Sequence, residues 1–156
     1  MTTYAPRIVI FEGDQHSGRT ELADEYARVH RCCHNIRRVH PLASWRYQDY
    51  LGEIKISLDN LGEDMTAVWD GFWGGEVLRA KMEGRKPPLD WHETNILTAI
   101  AVELKAQIVV LGDGYSDGDF RPFFIGLNTP QLIIRAGKNA RLAEIILKQR
   151  RDSVIC

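Results

Sequence analysis

A glycine-bounded loop that ends in an arginine and a threonine is the segment of this sequence best suited to chemistry. It runs Gly13-Asp-Gln-His-Ser-Gly-Arg-Thr20, with the spacing G-x-x-x-x-G-R-T. The phosphate-binding loop has the pattern G-x-x-x-x-G-K-[ST] between a strand and a helix. Its glycines let successive backbone N–H groups face one anion, and the positive end of the following helix adds to the attraction. The spacing therefore predicts a nucleotide phosphate site formed by Gly13, Asp14, Gln15, His16, Ser17, Gly18, Arg19 and Thr20.

Arg19 departs from this pattern, because the motif has lysine at its position. A guanidinium keeps the positive charge and can contact phosphate through two N–H groups. It is also larger and planar, and it does not substitute simply for a compact ammonium. Thr20 follows, and its hydroxyl would be offered to a magnesium ion shared with the phosphates. The alternative interpretation is a glycine-rich turn from strand to helix, with Arg19 on the surface.

Short apolar runs predict the strands that would position this loop. These runs are rich in β-branched residues, which favours buried strands. The predicted strands cover residues 7–12, 35–40, 65–69, 107–111 and 131–135. For the last segment, a helix that begins at Pro130 is an open alternative.

Apolar residues at helical spacing predict helices between and after the strands. These helices cover residues 20–30, 44–61, 72–82, about sixteen residues after Asp90, and 139–150. Ser44 and Asp90 are the predicted N-caps of the second and fourth helices. Trp45, Tyr50 and Trp91 are expected to pack these helices rather than to bind a ligand.

The alternation of strands and helices predicts a parallel sheet covered on both faces, with the first strand in the middle. In such sheets the ligand lies beyond the carboxyl ends of the strands. Four places therefore become candidate sites: the loop after Glu12, the pair His40–Pro41, Asp70, and the segment from Asp113 onward.

Several of these strand ends resemble one enzyme family. Ile8-Val-Ile-Phe-Glu-Gly13 followed by Ser17-Gly-Arg-Thr-Glu-Leu-Ala23 resembles the opening of thymidylate kinases. Val39-His-Pro41 is similar to the end of their second strand. Val68-Trp-Asp-Gly-Phe-Trp-Gly-Gly-Glu-Val77 is similar to the W-D-R…G-E-x-V block of phage-type deoxynucleoside monophosphate kinases. The resemblance covers about residues 7–112.

The resemblance implies a P-loop NTPase-type three-layer α/β/α sandwich, with a central parallel sheet of about five strands in a single domain over residues 1–156. It also implies an ATP- and Mg²⁺-dependent phosphotransferase that acts on a nucleoside monophosphate or a related nucleotide. Such a reaction needs positioning and positive charge around the transferred group more than covalent help. Thymidylate kinases are commonly dimers, so a homodimer is left open.

By resemblance, the candidate residues take separate roles. Gly13 to Thr20 would hold the phosphates of ATP, and Thr20 and Asp70 would hold magnesium. Arg19 and Asp70 would be catalytic, with Asp70 on the acceptor side or on a metal-bound water. The acceptor nucleotide would be bordered by Glu12, His40, Phe72, Trp73 and Arg85. A base could stack on the ring of Phe72 or Trp73.

Three residues depart from the family pattern. Arg19 replaces the lysine, Gly71 replaces an arginine that faces phosphate, and Gln15 stands where an acidic residue is usual. A single catalytic cation can contribute ~10³-fold or more to phosphoryl transfer. Cations that could compensate are Arg79, Arg85 and Arg121. The same departures favour an alternative function, a catalytically degenerate P-loop protein that binds a nucleotide or a protein partner without turnover.

The segment Gly112–Arg121 follows the fourth predicted strand, at the ligand edge of the sheet. One interpretation is a shortened lid whose Arg121 contacts phosphate on closing and acts in catalysis. The other is a mobile polar loop. Its aspartates are not spaced as in a calcium-binding EF-hand.

The charge balance of the chain does not support a general attraction to polyanions, and it leaves a local basic pocket open as an alternative. Twenty basic and 21 acidic residues give a formal net charge of -1. This balance does not indicate a nucleic-acid or membrane-surface protein, and no apolar run reaches the ~18–20 residues of a membrane helix. The basic pair Arg37-Arg38 is expected to lie on the solvated surface.

The cysteines indicate the compartment. Three cysteines, two of them the adjacent Cys32 and Cys33, do not make a disulfide framework. Their spacing to His34 does not match the usual zinc sites. Residues 1–6 lack the basic region and apolar run of a signal peptide. We therefore expect a reducing environment and a cytoplasmic protein.

Overall fold

The computed structural model describes residues 8–13, 18–30, 35–60, 64–104, 106–111 and 133–137. The five strands are β1 (Ile8–Gly13), β2 (Asn35–Val39), β3 (Met65–Asp70), β4 (Gln107–Leu111) and β5 (Ile133–Gly137). The four helices within these ranges are α1 (Arg19–His30), α2 (Tyr47–Asp59), α3 (Trp73–Met82) and α4 (Trp91–Glu103). The helix predicted over residues 139–150 lies outside the described residues.

All strand pairs are parallel, in the order β2-β3-β1-β4-β5. The prediction that the first strand lies in the middle of a parallel sheet is therefore confirmed. The segment after Pro130 forms a strand rather than a helix, beginning two residues later than predicted. Crossing from one parallel strand to the next requires a connection over a face of the sheet, which places the helices.

Strand β1 is buried along its whole length because helices cover both faces of the sheet. Successive strand side chains point to opposite faces. Val9 and Phe11 pack with Leu22 and Tyr26 of α1, whereas the alternate residue Ile10 belongs to the core formed with α2, α3 and α4. The arrangement is the predicted three-layer α/β/α sandwich.

An aromatic cluster fills the core on the side of α2, α3 and α4. The rings of Trp45, Tyr50, Trp69 and Trp73 pack on one another in five pairs, with centroids 5.2 to 6.4 Å apart. The indole Nε1 of Trp73 also donates a hydrogen bond to Thr98 Oγ1 at 3.1 Å. Because Trp73 is the first residue of α3, these contacts fix where that helix starts relative to the end of β3.

The start of α2 differs from the prediction. The helix begins at Tyr47 with Arg46 as its N-cap, rather than at Ser44. The reason is Asp49, three residues into the helix, whose carboxylate accepts the Arg46 backbone N–H at 2.8 Å. This carboxylate also lies at the positive end of the helix, where a negative charge is favourable.

The predicted N-cap of α4 is confirmed. Asp90 Oδ1 accepts the backbone N–H of Glu93 at 2.7 Å, and Glu93 Oε1 accepts the backbone N–H of Asp90 at 3.0 Å. This reciprocal pair satisfies two N–H groups that a helix start leaves without partners. The helix has 13 residues, somewhat fewer than predicted.

The adjacent arginines of β2 are not simply solvated, contrary to the prediction. Arg37 pairs with Glu53 of α2 through two hydrogen bonds of 3.0 and 3.1 Å. Arg38 pairs with Asp24 of α1 at 2.7 Å and donates to the Val68 carbonyl at 3.1 Å. Neighbouring strand residues point to opposite faces, so the two side chains tie β2 to helices on both sides of the sheet.

Among the described residues, no helix has both the length and the apolar content that crossing a membrane requires.

Candidate functional site

The candidate site lies where β1 and β3 end side by side. Phe11 is paired with Asp70 across the two strands, and the Gly71 N–H donates to the Phe11 carbonyl at 2.8 Å. This register places Glu12 and Gly13 beside Asp70. Helix α1 begins at Arg19, so its first turn reaches the same edge of the sheet.

Asp70, at the end of β3, contacts side chains from α1 and from the residue that follows β2. Its Oδ1 accepts a hydrogen bond from Arg19 Nε at 2.9 Å, and its Oδ2 accepts one from Thr20 Oγ1 at 2.7 Å. The Nδ1 atom of His40, just after β2, lies 3.6 Å from Oδ2. The structure thus brings together four of the residues that the sequence singled out.

Glu12 is a buried carboxylate with no exposed surface. Its Oε1 accepts hydrogen bonds from Gly13 N at 3.0 Å, Arg19 Nη1 at 2.9 Å and Arg79 Nη1 at 3.0 Å. Its Oε2 accepts one from Phe72 N at 3.3 Å. The expectation that Glu12 borders the acceptor nucleotide is therefore corrected: its carboxylate faces protein donors and holds two arginines in place.

Gly75 makes room for this carboxylate. A Cβ atom at Gly75 would lie 2.0 Å from Glu12 Oε2, closer than any real contact. Any other residue at this position would displace the Glu12 carboxylate from its hydrogen bonds or push α3 away from the end of β1. The sequence shows two consecutive glycines at the start of a helix, where glycine is normally unfavourable, and that pattern is the signal for a close approach.

An alternating chain of charges runs from the sheet edge to α3. Its members are Asp70, Arg19, Glu12, Arg79 and Glu76, in that order. The last contact is between Arg79 Nη2 and Glu76 Oε1, at 2.6 Å. Three carboxylates and two guanidinium groups leave one unit of formal negative charge. Sequence reasoning named Arg79 only as a compensating cation, and the i, i+3 spacing of Glu76 and Arg79 is the signal that could have linked them.

Gly71 lies against the guanidinium of Arg19. Its φ is +89°, in the left-handed region that favours glycine. A Cβ atom at Gly71 would lie 3.3 Å from Arg19 Nη1, 3.5 Å from Cζ and 3.6 Å from Nη2. Two positions at which the sequence differs from the kinases that it resembles therefore adjoin each other, and the absence of a side chain at Gly71 leaves room for Arg19.

Phe72 and Trp73 have no exposed surface. Their rings pack on each other with centroids 5.2 Å apart, and a Cβ atom at Gly74 would lie 2.4 Å from Phe72 Cζ. The expectation that either ring stacks on a base is therefore corrected, because neither offers a face to a ligand. Both residues instead belong to the core that sets the start of α3.

Arg85 lies apart from the Asp70 cluster. It is half exposed and forms an ion pair with Glu83. It also lines a cleft of about 510 Å³ between the start of α2, helix α3 and the start of α4. Glu76 lines the same cleft and is the last member of the charge chain, so the cleft and the Asp70 cluster are connected.

Several predicted site residues lie outside the described residues. They are Asp14, Gln15, His16, Ser17 and Arg121, together with the adjacent Cys32 and Cys33. The roles assigned to them from the sequence stay predictions.

The Thr20 hydroxyl and the Asp70 carboxylate are the types of ligand that magnesium prefers. Both present hard oxygen atoms, and they are already 2.7 Å apart. Magnesium commonly takes one or two carboxylates and completes its coordination with water and substrate phosphates. Over the described ranges no three histidine, cysteine or acidic side chains form a dedicated metal cage. The donor set therefore fits a metal that arrives with a phosphate ligand.

Comparison with known proteins identifies a solved structure with a similar fold. No protein-family profile matches the chain, and no curated protein matches it. Among solved structures, the chain is similar to the YorR protein of Bacillus subtilis, whose crystal structure is a complex with phosphorylated GDP. The TM-score is 0.58 at 15% sequence identity, and the alignment covers 91% of this chain and 92% of YorR. The predicted fold class, a three-layer α/β/α sandwich around a parallel sheet, is therefore confirmed by the structure and by this likeness.

Proposed function

We propose that the protein binds a nucleotide at the carboxyl edge of the sheet and transfers a phosphoryl group from ATP to a nucleoside monophosphate or a related nucleotide. The observation that carries the proposal is the junction of Asp70, Arg19 and Thr20 at the ends of β1 and β3 and the start of α1. The likeness in fold to a protein crystallised with phosphorylated GDP supports it.

The phosphates would lie on the loop between Gly13 and Thr20. The N-terminus of α1 follows that loop, and its unpaired N–H groups and positive dipole favour an anion. Arg19 adds a fixed positive charge whose Nε and Nη1 are held by Asp70 and Glu12. Its Nη2 has no hydrogen-bonding partner within the described ranges, so a phosphate oxygen could accept from it.

The reaction needs an acceptor held in line with the transferred phosphoryl group. Asp70 would orient the acceptor or accept its proton, because its carboxylate lies at the strand end nearest the loop. A magnesium ion, held by Thr20 and Asp70 when bound, would supply charge neutralisation on the phosphates. The acceptor would occupy the cleft lined by Arg46, Arg85 and Lys86, whose volume of about 510 Å³ suits a nucleotide.

A second function, nucleotide binding without turnover, is favoured by one specific observation. Arg19 is tied to two carboxylates, and Gly71 offers no side chain that could contact the transferred group. A site that binds phosphate but contributes little transition-state charge would bind without accelerating transfer.

An assay with ATP labelled in its γ-phosphoryl group, a pool of nucleoside monophosphates and magnesium tests the proposal. Formation of a labelled diphosphate that is lost in Asp70→Asn would support the enzyme. The matched control is Asp59→Asn, an exposed aspartate at the end of α2, which should leave transfer unchanged. Nucleotide-dependent thermal stabilisation without any transfer would favour the second function, and no stabilisation by any nucleotide would contradict both.

A further inference from the structure

The carboxylate suited to a metal is already paired with a cation of the protein. Arg19 Nε lies 2.9 Å from Asp70 Oδ1, and Arg19 Nη1 lies 2.9 Å from Glu12 Oε1. We propose that Arg19 is a resident cation that supplies part of the charge usually brought by a divalent metal, so that nucleotide binding here depends only weakly on magnesium. The inference rests on the proposed nucleotide site.

The guanidinium is held in one place from several directions. Two carboxylates and the Gly13 carbonyl, at 3.3 Å, accept its hydrogen bonds. On the Gly71 side, a Cβ atom would lie only 3.3 to 3.6 Å from the guanidinium atoms, so a side chain there would crowd Arg19. An arginine fork can serve two carboxylates at fixed angles, whereas a lysine ammonium is a mobile point charge. Arg19 is therefore a permanent part of the site rather than a side chain recruited by a ligand.

Its charge acts on the same atoms that a metal would use. Asp70 offers its carboxylate to Arg19 and to Thr20 at once, and the Arg19 side chain is about three-quarters buried. A neighbouring positive charge opposes the approach of a divalent cation. Without Arg19, the connected carboxylates of Asp70, Glu12 and Glu76 would be balanced by Arg79 alone. That site would attract a divalent cation more strongly.

Compared with the same site without Arg19, this charge also lowers the repulsion that a phosphate meets before any metal binds. Bound metal ions are normally the largest local charges at phosphate sites. Here Arg19 is adjacent to Thr20, at the positive end of α1. A nucleotide would therefore find a fixed cation without magnesium, and magnesium would add less to its affinity than at a site without this arginine.

Two titrations on the intact protein test the inference. The first measures ADP and GDP binding by calorimetry, with excess EDTA or saturating magnesium, for the wild type, Arg19→Ala and Arg19→Gln. The second measures Mn²⁺ binding by electron paramagnetic resonance without nucleotide. Arg28→Ala is the matched control, because Arg28 lies on the same helix, is largely exposed and pairs only with Glu25 among the described residues.

We expect magnesium to change nucleotide affinity by about threefold or less in the wild type and by about tenfold or more in the Arg19 variants. We also expect the Arg19 variants to bind Mn²⁺ about tenfold more tightly, and Arg28→Ala to match the wild type. Arg19→Gln keeps much of the side-chain length, and it decides the question if Arg19→Ala fails to fold.

The outcomes separate the two proposals. Strong magnesium dependence that is equal in the wild type and the Arg19 variants would overturn the resident-cation inference and leave nucleotide binding intact. Failure to bind nucleotide with or without magnesium would overturn the proposed function. In that case, equal Mn²⁺ affinity in the wild type and the Arg19 variants would also refute the inference that Arg19 weakens the binding of a divalent cation.

Discussion

Glu12 determines the geometry of the site although it is shielded from any ligand. It binds arginines from two helices that the chain places far apart, and it receives two backbone N–H groups as well. A buried carboxylate is favourable only when donors of this kind compensate for its lost hydration. The site therefore depends on a residue that contacts only protein groups and yet holds the arginines of the site in position.

Glu12→Gln keeps the size of the side chain and removes its charge. Two guanidinium groups then lose their shared anion, and breaking a buried pair in this way costs about 3 kcal/mol. We expect urea denaturation to show this loss in the free energy of unfolding. Glu53→Gln is the matched control, since its ion pair with Arg37 is partly exposed and should contribute less than about 1 kcal/mol. Equal losses in the two variants would contradict the central role of Glu12.

Gly71→Ala tests how much space the site leaves between Gly71 and Arg19. The left-handed φ of +89° disfavours alanine, and we expect a loss of stability of about 1–2 kcal/mol. The new Cβ would also press on Arg19 and weaken nucleotide binding. Gly52→Ala is the control, because Gly52 lies within α2 with no atom near its Cβ position. It should stabilise the protein by about 0.5–1 kcal/mol. Thermal melting of both variants checks the opposite signs.

Among the helices, α2 contributes a buried phenol to the aromatic cluster. No atom of the described residues forms a hydrogen bond with the Tyr50 hydroxyl, and burial, together with the nearby carboxylates of Glu76 and Glu12, raises the pKa of the phenol. An unfolded tyrosine ionises at a pKa of about 10. Above that pH the unfolded chain loses a proton that the folded protein keeps, so folding stability falls as pH rises.

Tyr50→Phe removes both the buried hydroxyl and the titrating proton. We expect the variant to be as stable as the wild type at neutral pH, or more stable by about 1 kcal/mol, because an unsatisfied buried hydroxyl is lost. The fall in stability between about pH 10 and 11.5 should be shallower than in the wild type. Chemical denaturation across that range checks the slope. A marked loss of stability at neutral pH would indicate that the hydroxyl has a partner.

At the level of elements, β1 and β3 could be predicted because they are short, largely buried apolar runs, and a parallel sheet then requires the carboxyl ends of its strands to share one edge. That argument correctly brought Asp70, Thr20 and His40 together. The start of α2 could not be predicted from residue type. Ser44 is the better N-cap by type, but the carboxylate of Asp49 favours a start at Tyr47.

The burial of the site residues was not predictable either. A carboxylate at a strand end, or an aromatic pair after it, has the same sequence pattern whether it faces a ligand or the core. Glu12 is enclosed because α3 packs tightly against it, which depends on Gly75. Trp73, the first residue of α3, faces the core and donates a hydrogen bond to Thr98. The glycine pair at the start of α3 signals a close approach, but the sequence does not show which side chain lies against it.

The whole molecule is organised around β1, which pairs on both edges and is covered on both faces. We expect the backbone amides of Val9 to Phe11 to exchange with solvent most slowly among the described residues, since they open only when the sheet opens. Hydrogen–deuterium exchange followed by mass spectrometry checks this. The amides of β2, which is at the edge of the described sheet, should exchange sooner, and the reverse order would contradict this account of the core.

Because β2 is an edge strand, its two arginines also affect the solubility of the protein. An edge strand exposes backbone N–H and C=O groups to which a strand from another chain can add, and charged side chains on such a strand discourage that pairing. Arg37 and Arg38 hold long cationic side chains over both faces of this strand. Replacing them with valine would leave a flat apolar edge, which is a template for aggregation. The residues that fasten this strand to its own helices therefore also keep other strands away.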